Sequence, residues 1–282
     1  MGNNYFTVLP MSQRFSLEPG KTYTGSLSIV NPADATEDFL YSISVSPYGV
    51  MGEDYTADLV TVTNRSEIVK WIKISEPKGS VKPNETKKVE FTITVPENAA
   101  AGGQYAAIAV SSNESSNASE GVAVNNVFEL ASLVYATVAG KTEHKGEILE
   151  NNVPGFVVSA PITLSAMISN EGNVHEDATF VISVSNAFTG QVILPTEDNE
   201  GHYNELIMPE TTRDVTREVN DLPALGIMKV NQTIYYQGDV NTVEKNVIIC
   251  PIWFLFLIAF TIIAIIGTIV RLVIKHKRKE IV

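Results

Sequence analysis

Cysteine is nearly absent: among 282 residues there is one, Cys250, within the apolar stretch near the C-terminus. The preceding chain therefore closes no disulfide, and its domains must be held by core burial alone, unlike small secreted scaffolds stapled by bridges. The same count leaves no cysteine nucleophile outside the apolar stretch. Histidine is scarce as well. His144, His175 and His202 are scattered through turn-like segments, and His276 sits in the basic tail. His175-Glu176-Asp177 lacks the second histidine, four residues on, that a zinc-protease helix needs. No nucleophile elbow, P-loop or dinucleotide fingerprint occurs. The expectation is a non-enzymatic chain that uses no cofactor.

The start of the chain, Met1-Gly2-Asn3-Asn4-Tyr5-Phe6, has neither a basic n-region nor an apolar h-region. Phe6 also stands where an acylation motif wants Ser or Thr. A native leader is expected to have been removed or to lie outside this sequence, because the other end of the chain calls for export. From Ile248 to Val270 run 23 residues without a charge, and 15 of them are Ile, Leu, Phe or Val. At about 1.5 Å per residue they cross a hydrocarbon core of about 30 Å. Trp253 falls where an interfacial aromatic would sit, and Gly267 has no partner glycine four residues away. Arg271, Lys275, Lys277, Arg278 and Lys279 follow the span against a single acid, Glu280. By the positive-inside rule that end is cytoplasmic, and residues 1–246 face outward.

The outward part carries 15 Lys and Arg against 31 Asp and Glu, a net charge of −16. Such a surface repels nucleic acid and anionic headgroups. Glu53, Asp54 and Asp58 crowd one glycine-containing loop and form a weak calcium candidate, because hard oxygen ligands could converge there. Their spacing fits no EF-hand, and an ordinary acidic loop is the favoured reading.

Period-2 alternation dominates the rest. Phe39, Tyr41, Ile43 and Val45 share one strand face; Phe91, Ile93 and Val95 share another; Ile162, Leu164, Ala166 and Ile168 a third. Ile68 to Ile74 is predicted as a strand covered on both faces, and Val122 to Val138 as one bent strand or two. Ser111 to Ser119 is predicted as an exposed loop. Gly102-Gly103 allows a tight turn into the strand Ala106 to Val110, with Tyr105 a structural residue bonding back across the corner. Asn151-Asn152-Val153-Pro154-Gly155 reads as a domain boundary. The predicted fold is all-β: two tandem Ig-like antiparallel β-sandwich domains, 1–150 and 151–246, then a transmembrane helix over 247–271 and a basic cytoplasmic tail over 272–282.

The order Phe15-Ser16-Leu17-Glu18-Pro19-Gly20, Ser28-Ile29-Val30-Asn31-Pro32, Gly102-Gly103-Gln104-Tyr105 and Ile168-Ser169-Asn170-Glu171-Gly172-Asn173-Val174-His175, closed by one helix and a basic tail, resembles the WxL-interacting surface proteins of Gram-positive bacteria. The resemblance implies a first domain that engages peptidoglycan and a second that engages host or partner surface proteins, WxL proteins among them. On that footing the chain is expected to be a cell-surface binding scaffold in the cell membrane. Two other readings are a chaperone-like assembly factor that accepts a client strand by β-augmentation and an accessory or sensory ectodomain of a membrane complex.

Overall fold

The computed structural model describes residues 6–112 and 128–279. The predicted loop from 113 to 119 and the first part of the predicted strand, 122 to 127, lie outside the described residues. The described chain divides into two units. Unit 1 is Met1–Gly146 with Ser169–Glu176 and Ile207–Arg213, and unit 2 is Glu147–Ile168, Asp177–Leu206 and Asp214–Val282.

The first eleven strands are β1 (Thr7–Leu9), β2 (Ser12–Leu17), β3 (Thr22–Val30), β4 (Phe39–Pro47), β5 (Gly49–Met51), β6 (Thr56–Asp58), β7 (Ile72–Ile74), β8 (Lys78–Val81), β9 (Thr86–Thr94), β10 (Gly102–Ser112) and β11 (Glu129–Val138). They build a four-stranded sheet, β1-β3-β9-β7, and a five-stranded sheet, β2-β11-β10-β4-β8, with β5-β6 as a separate hairpin. Alternation places Leu27, Ile29, Val89, Phe91 and Ile93 of one sheet against Ile43, Ile108, Val110, Val134 and Ala136 of the other. Every residue from Gly102 to Val110 is buried, which suits a central strand with neighbours on both edges.

Pro10 separates β1 from β2, and the chain changes sheets there. A residue without an N–H donor fits the point where a strand leaves one ladder for another. Beyond it β2 runs parallel to β11, pairing Ser12 with Leu133 through Leu17 with Val138. The expectation of purely antiparallel sheets is therefore corrected here and again at β13–β20 below. The predicted strand over Ile68 to Ile74 is also corrected. Glu67–Lys70 is a 3-10 turn, and only Ile72–Ile74 is strand. Ser66 Oγ accepts from the Thr63 N–H and donates to its carbonyl. Lys70 pairs with Glu67 at 2.8 Å. Local bonding of this kind competes with a ladder, and it buries Ile68 within one turn.

The remaining strands are β12 (Gly146–Asn152), β13 (Phe156–Val157), β14 (Ile162–Asn170), β15 (Glu176–Asn186), β16 (Val192–Leu194), β17 (His202–Ile207), β18 (Thr211–Val219), β19 (Gly226–Tyr236) and β20 (Asp239–Ile249). One sheet is β12-β14-β18; the other is β13-β20-β19-β15-β16, with β17 also on β15. The core of unit 2 gathers Ile162, Leu164, Ile182, Val184, Met228, Val230, Val247 and Ile249.

Helix α1 (Ile252–Lys279) follows. Ile248, expected to open the span, belongs to β20, paired with Ile227 on one side and Phe156 on the other. Cys250 is likewise outside the helix, buried, with its N–H donated to the Val157 carbonyl at 3.0 Å. The sheet ladder satisfies backbone groups up to that point. Pro251 then precedes the helix, where a missing N–H breaks no helical bond. The stretch Ile252–Leu272 is 21 residues of exposed, apolar helix, none of it buried against the rest of the chain. At about 1.5 Å per residue it is about 31 Å long, which matches a bilayer core. Its two threonines return their hydroxyls to the helix backbone: Thr261 donates to the Ile258 carbonyl and Thr268 to Ala264. Neither threonine thus demands water in the charge-free part of that stretch, which ends before Arg271. Trp253, Gly267 and Val270 all lie on it, and the basic residues Arg271, Lys275, Lys277, Arg278 and Lys279 lie at its distal end.

Candidate functional site

The feature of unit 1 best suited to holding another molecule is the first part of β11. From Leu133 to Val138 this strand is paired on both edges, with β10 and β2. Residues 129–132 pair with β10 alone among the described residues. Among the described residues no strand pairs the other edge of 129–131, while Ser132 is fully buried and accepts from Gln13; an edge left unpaired in this way is a template for an added strand. Side chains at even positions of β11 point into the core. Val138, Ala136, Val134 and Ser132 are fully buried, and the row continues with Leu130, 42% exposed, and Phe128, 47% exposed. Two apolar side chains at strand spacing thus extend the core row past the place where the opposite sheet covers it. Val110, opposite Leu130, and Ile43, opposite Val110, complete a floor that is itself buried.

A second uncovered edge exists, and charge distinguishes the two. Because β1 pairs with only Ser28–Val30 of β3, the outer edge of Thr22–Leu27 has no strand partner among the described residues. Between it and β2 runs a groove of about 510 Å³ lined by Gln13, Arg14, Phe15, Thr24, Lys88 and Glu90. Lysine and other charged groups along an edge discourage strand addition. Among its described residues the unpaired part of the β11 edge carries one charge, Glu129, whose side chain belongs to the opposite face.

That opposite face of β11 packs an aromatic cluster. Tyr135 lies edge-on to Tyr48 and Tyr105, with ring centroids 5.7 and 6.0 Å away, and His175 stands 5.7 Å from both Tyr105 and Tyr135. The Tyr105 hydroxyl meets His175 Nδ1 at 3.3 Å, and the Tyr135 hydroxyl meets that of Tyr48 at 3.4 Å. Burial pushes the phenols of Tyr105 and Tyr135 well above the usual tyrosine range. Arg213 lies 4.6 Å over the Tyr55 ring, and burial pulls its guanidinium down from its ordinary value. These ring contacts fit a rigid support behind β11.

The residues singled out from sequence are placed as follows. Gly102 has φ +118°, and a side chain there would meet the Asn173 carbonyl at 2.9 Å. A Cβ on Gly103 would run into the Tyr105 ring and hydroxyl. Both glycines thus make room for the turn that brings Asn173 and Tyr105 together. In the acidic loop, Asp54 accepts from Thr56 Oγ1 at 2.8 Å. Asp58 accepts from the N–H groups of Val60 and Thr61, and these bonds with the Thr61 side chain hold its carboxyl below the usual range. The carboxylates of Asp54 and Asp58 thus bond locally, and no group of three or more potential ligands converges among the described residues. Phe128 and Leu130 were not singled out, although their alternation inside the predicted strand was the available signal.

No family model matches the chain, and no curated protein matches it. Among solved structures it is similar to the class 5 fimbriae chaperone CfaA, with 12% identity and a TM-score of 0.41 over 86% of this chain and 99% of that one. It is similar to the CsuC-CsuE chaperone-tip adhesion subunit complex of Acinetobacter baumannii, at 11% identity and a TM-score of 0.40, covering 86% and 98%. The E. coli chaperone DraB gives 13% identity and a TM-score of 0.37, covering 85% and 96%. The resemblance to Gram-positive WxL-interacting proteins is corrected by these findings, since no family match supports it and the similar structures are fimbrial chaperones. Peptidoglycan and WxL-type surface proteins are withdrawn as partners with it, and so is the cell-wall scaffold drawn from it.

Proposed function

We propose that this chain is a membrane-tethered, non-enzymatic assembly factor of chaperone type that receives an extended client segment on the open edge of β11. The observation that carries the reading is the backbone of residues 129–131, unpaired on one edge among the described residues, beside the exposed Leu130 and Phe128. A client strand laid there gains main-chain hydrogen bonds, and its alternate apolar side chains complete the core row that β11 leaves unfinished. Both units serve as Ig-like sandwiches in this reading, and α1 holds them at the outer face of a cell membrane with its basic end in the cytoplasm. The acidic head resists adsorption to anionic lipid and nucleic acid, leaving the apolar edge as the adhesive element.

Backbone hydrogen exchange tests the reading. Full-length protein in detergent micelles is mixed with a peptide of alternating valine and threonine, and amide exchange is followed by mass spectrometry. Protection is expected to rise in the segment containing residues 129–132. Protection confined to β2 and β3, around the charged groove, contradicts it.

A further inference from the structure

We propose that the end of unit 2 from which α1 departs is seated in the outer membrane–water interface, with Phe188 as its insertion point. The inference rests on the membrane-tethered reading above and assigns a lipid surface as the partner of a part of the head that this reading leaves without a role.

Four uncharged segments meet at that end of one sheet. Register sets their level. Ile248 pairs with Ile227 and Phe156, and Ile249 with Gly226 and Val157. One strand further, Asn186 pairs with Met228, and the Ala187 N–H donates to the Ile227 carbonyl at 2.9 Å. Strand ends and loops here hold Phe156 of β13 and Val158 after it, Phe188 and Val192 at the start of β16, and Leu225 before β19, all between 43 and 81% exposed, with Ile248 of β20 beside them. Scattered exposed apolar residues need no account, but six at one rim do.

Charge is distributed to match. No Asp, Glu, Lys or Arg occurs in 153–162, in 186–196, in 222–228 or in 246–270, although the outward part of the chain carries 46 such residues. Charges border these stretches at Glu197, Asp221, Lys229 and Lys245, the last donating from Nζ to the Val153 carbonyl at 2.8 Å. An apolar, charge-free rim on an otherwise acidic head is the composition an interface selects.

Chain length fixes the placement. Only Cys250 and Pro251 lie between Ile249 and Ile252, so at most about 10 Å of chain, three residue steps, joins the rim to the first turn of α1. The headgroup layer on one side of a bilayer is about 5–8 Å thick. A rim tied that closely to the span lies within or against this layer. Phe188, 81% exposed, is held out on a built loop. Asn186 Oδ1 accepts from the N–H groups of Phe188 and Thr189 at 2.9 and 3.0 Å, and the Asn186 carbonyl accepts from Gly190 at 2.9 Å. The ring is thus presented without an ordering cost at insertion.

Nitroxide depth measurement on the full chain in phosphatidylcholine vesicles tests this. In a C250S background, single labels are placed at Phe188→Cys, Val240→Cys and Ile262→Cys. Val240 lies eight residues up β20 from Ile248, about 27 Å away along the strand. Labels at 188 and 262 are expected to collide more with oxygen than with a water-soluble nickel chelate, and the label at 240 the reverse. A label at Gln191→Cys with Phe188 retained is expected to share the lipid-side ratio and to shift to the water-side ratio when Phe188→Asp is added. If 188 and 191 behave as 240 does while 262 stays in lipid, the tether stands and the seated rim is overturned. If 262 itself reports water, the tethered reading falls and takes the seated rim with it.

Discussion

Replacing Phe128 and Leu130 together by serine removes apolar surface from the open edge of β11 while leaving its backbone in place. Those side chains are 47% and 42% exposed, and a bound client strand would cover the remainder. Full burial of a Leu or Phe side chain is worth about 1.5–3 kcal/mol, so the exposed fractions together contribute about 1.3–2.7 kcal/mol to capture. That corresponds to roughly tenfold to hundredfold weaker binding of the double variant. The same truncation removes the buried halves, so unit 1 loses stability of similar size, and the titration must be run where thermal unfolding shows both forms folded. Fluorescence anisotropy of a labelled alternating valine–threonine peptide, titrated with full-length protein in micelles, reads the effect directly. Unchanged affinity in F128S/L130S would refute the reasoning. So would a larger loss in R14A/K88A, which alters only the charged groove between β2 and β3.

Three further outcomes follow from the packing. Ile108 is fully buried in the middle of β10, and Ile108→Ala is expected to cost about 2–5 kcal/mol in urea unfolding, with little change in slope. The Asn170 amide donates to the carbonyls of Val174 and Ile207 and its oxygen accepts from the Gly172 N–H, all buried. Asn170→Ala leaves those groups unmatched and is expected to lower the melting free energy by about 1–3 kcal/mol or more. Tyr105 and Tyr135 have folded-state pKa values raised by burial. Below the ordinary tyrosine value both states are protonated and stability is flat. Above about pH 10 the unfolded chain ionises first, so stability falls as pH rises, by about 1.4 kcal/mol per pH unit for each such phenol. Tyr135→Phe is expected to flatten that alkaline slope, read by urea titrations between pH 9 and 11.

Much of the architecture was legible because burial writes a period of two into strands. Phe39, Tyr41 and Ile43, and Ile162, Leu164 and Ala166, fall on strands for that reason. The apolar helix was legible because a charge-free run of its length has few other uses. Three things were not. The Glu67–Lys70 turn depends on side-chain bonds of Ser66 that composition does not reveal. The start of α1 was read too early because Ile248 and Ile249 are as apolar as a span, yet they serve a sheet. The open edge of β11 depends on where β2 joins it, a long-range register that alternation within one strand cannot show. The family resemblance failed for a related reason: short Pro-Gly and Gly-Gly-x-Tyr turns mark sandwiches in general, not one family.

Site-specific photo-crosslinking in intact cells tests the central claim most directly. With a photoreactive residue at Glu129 of the full chain, the account expects a single client protein attached through one extended segment. The same group at Val60, 84% exposed and remote from β11 in sequence, is expected to capture nothing. A client captured from Lys88 but not from position 129 would contradict it.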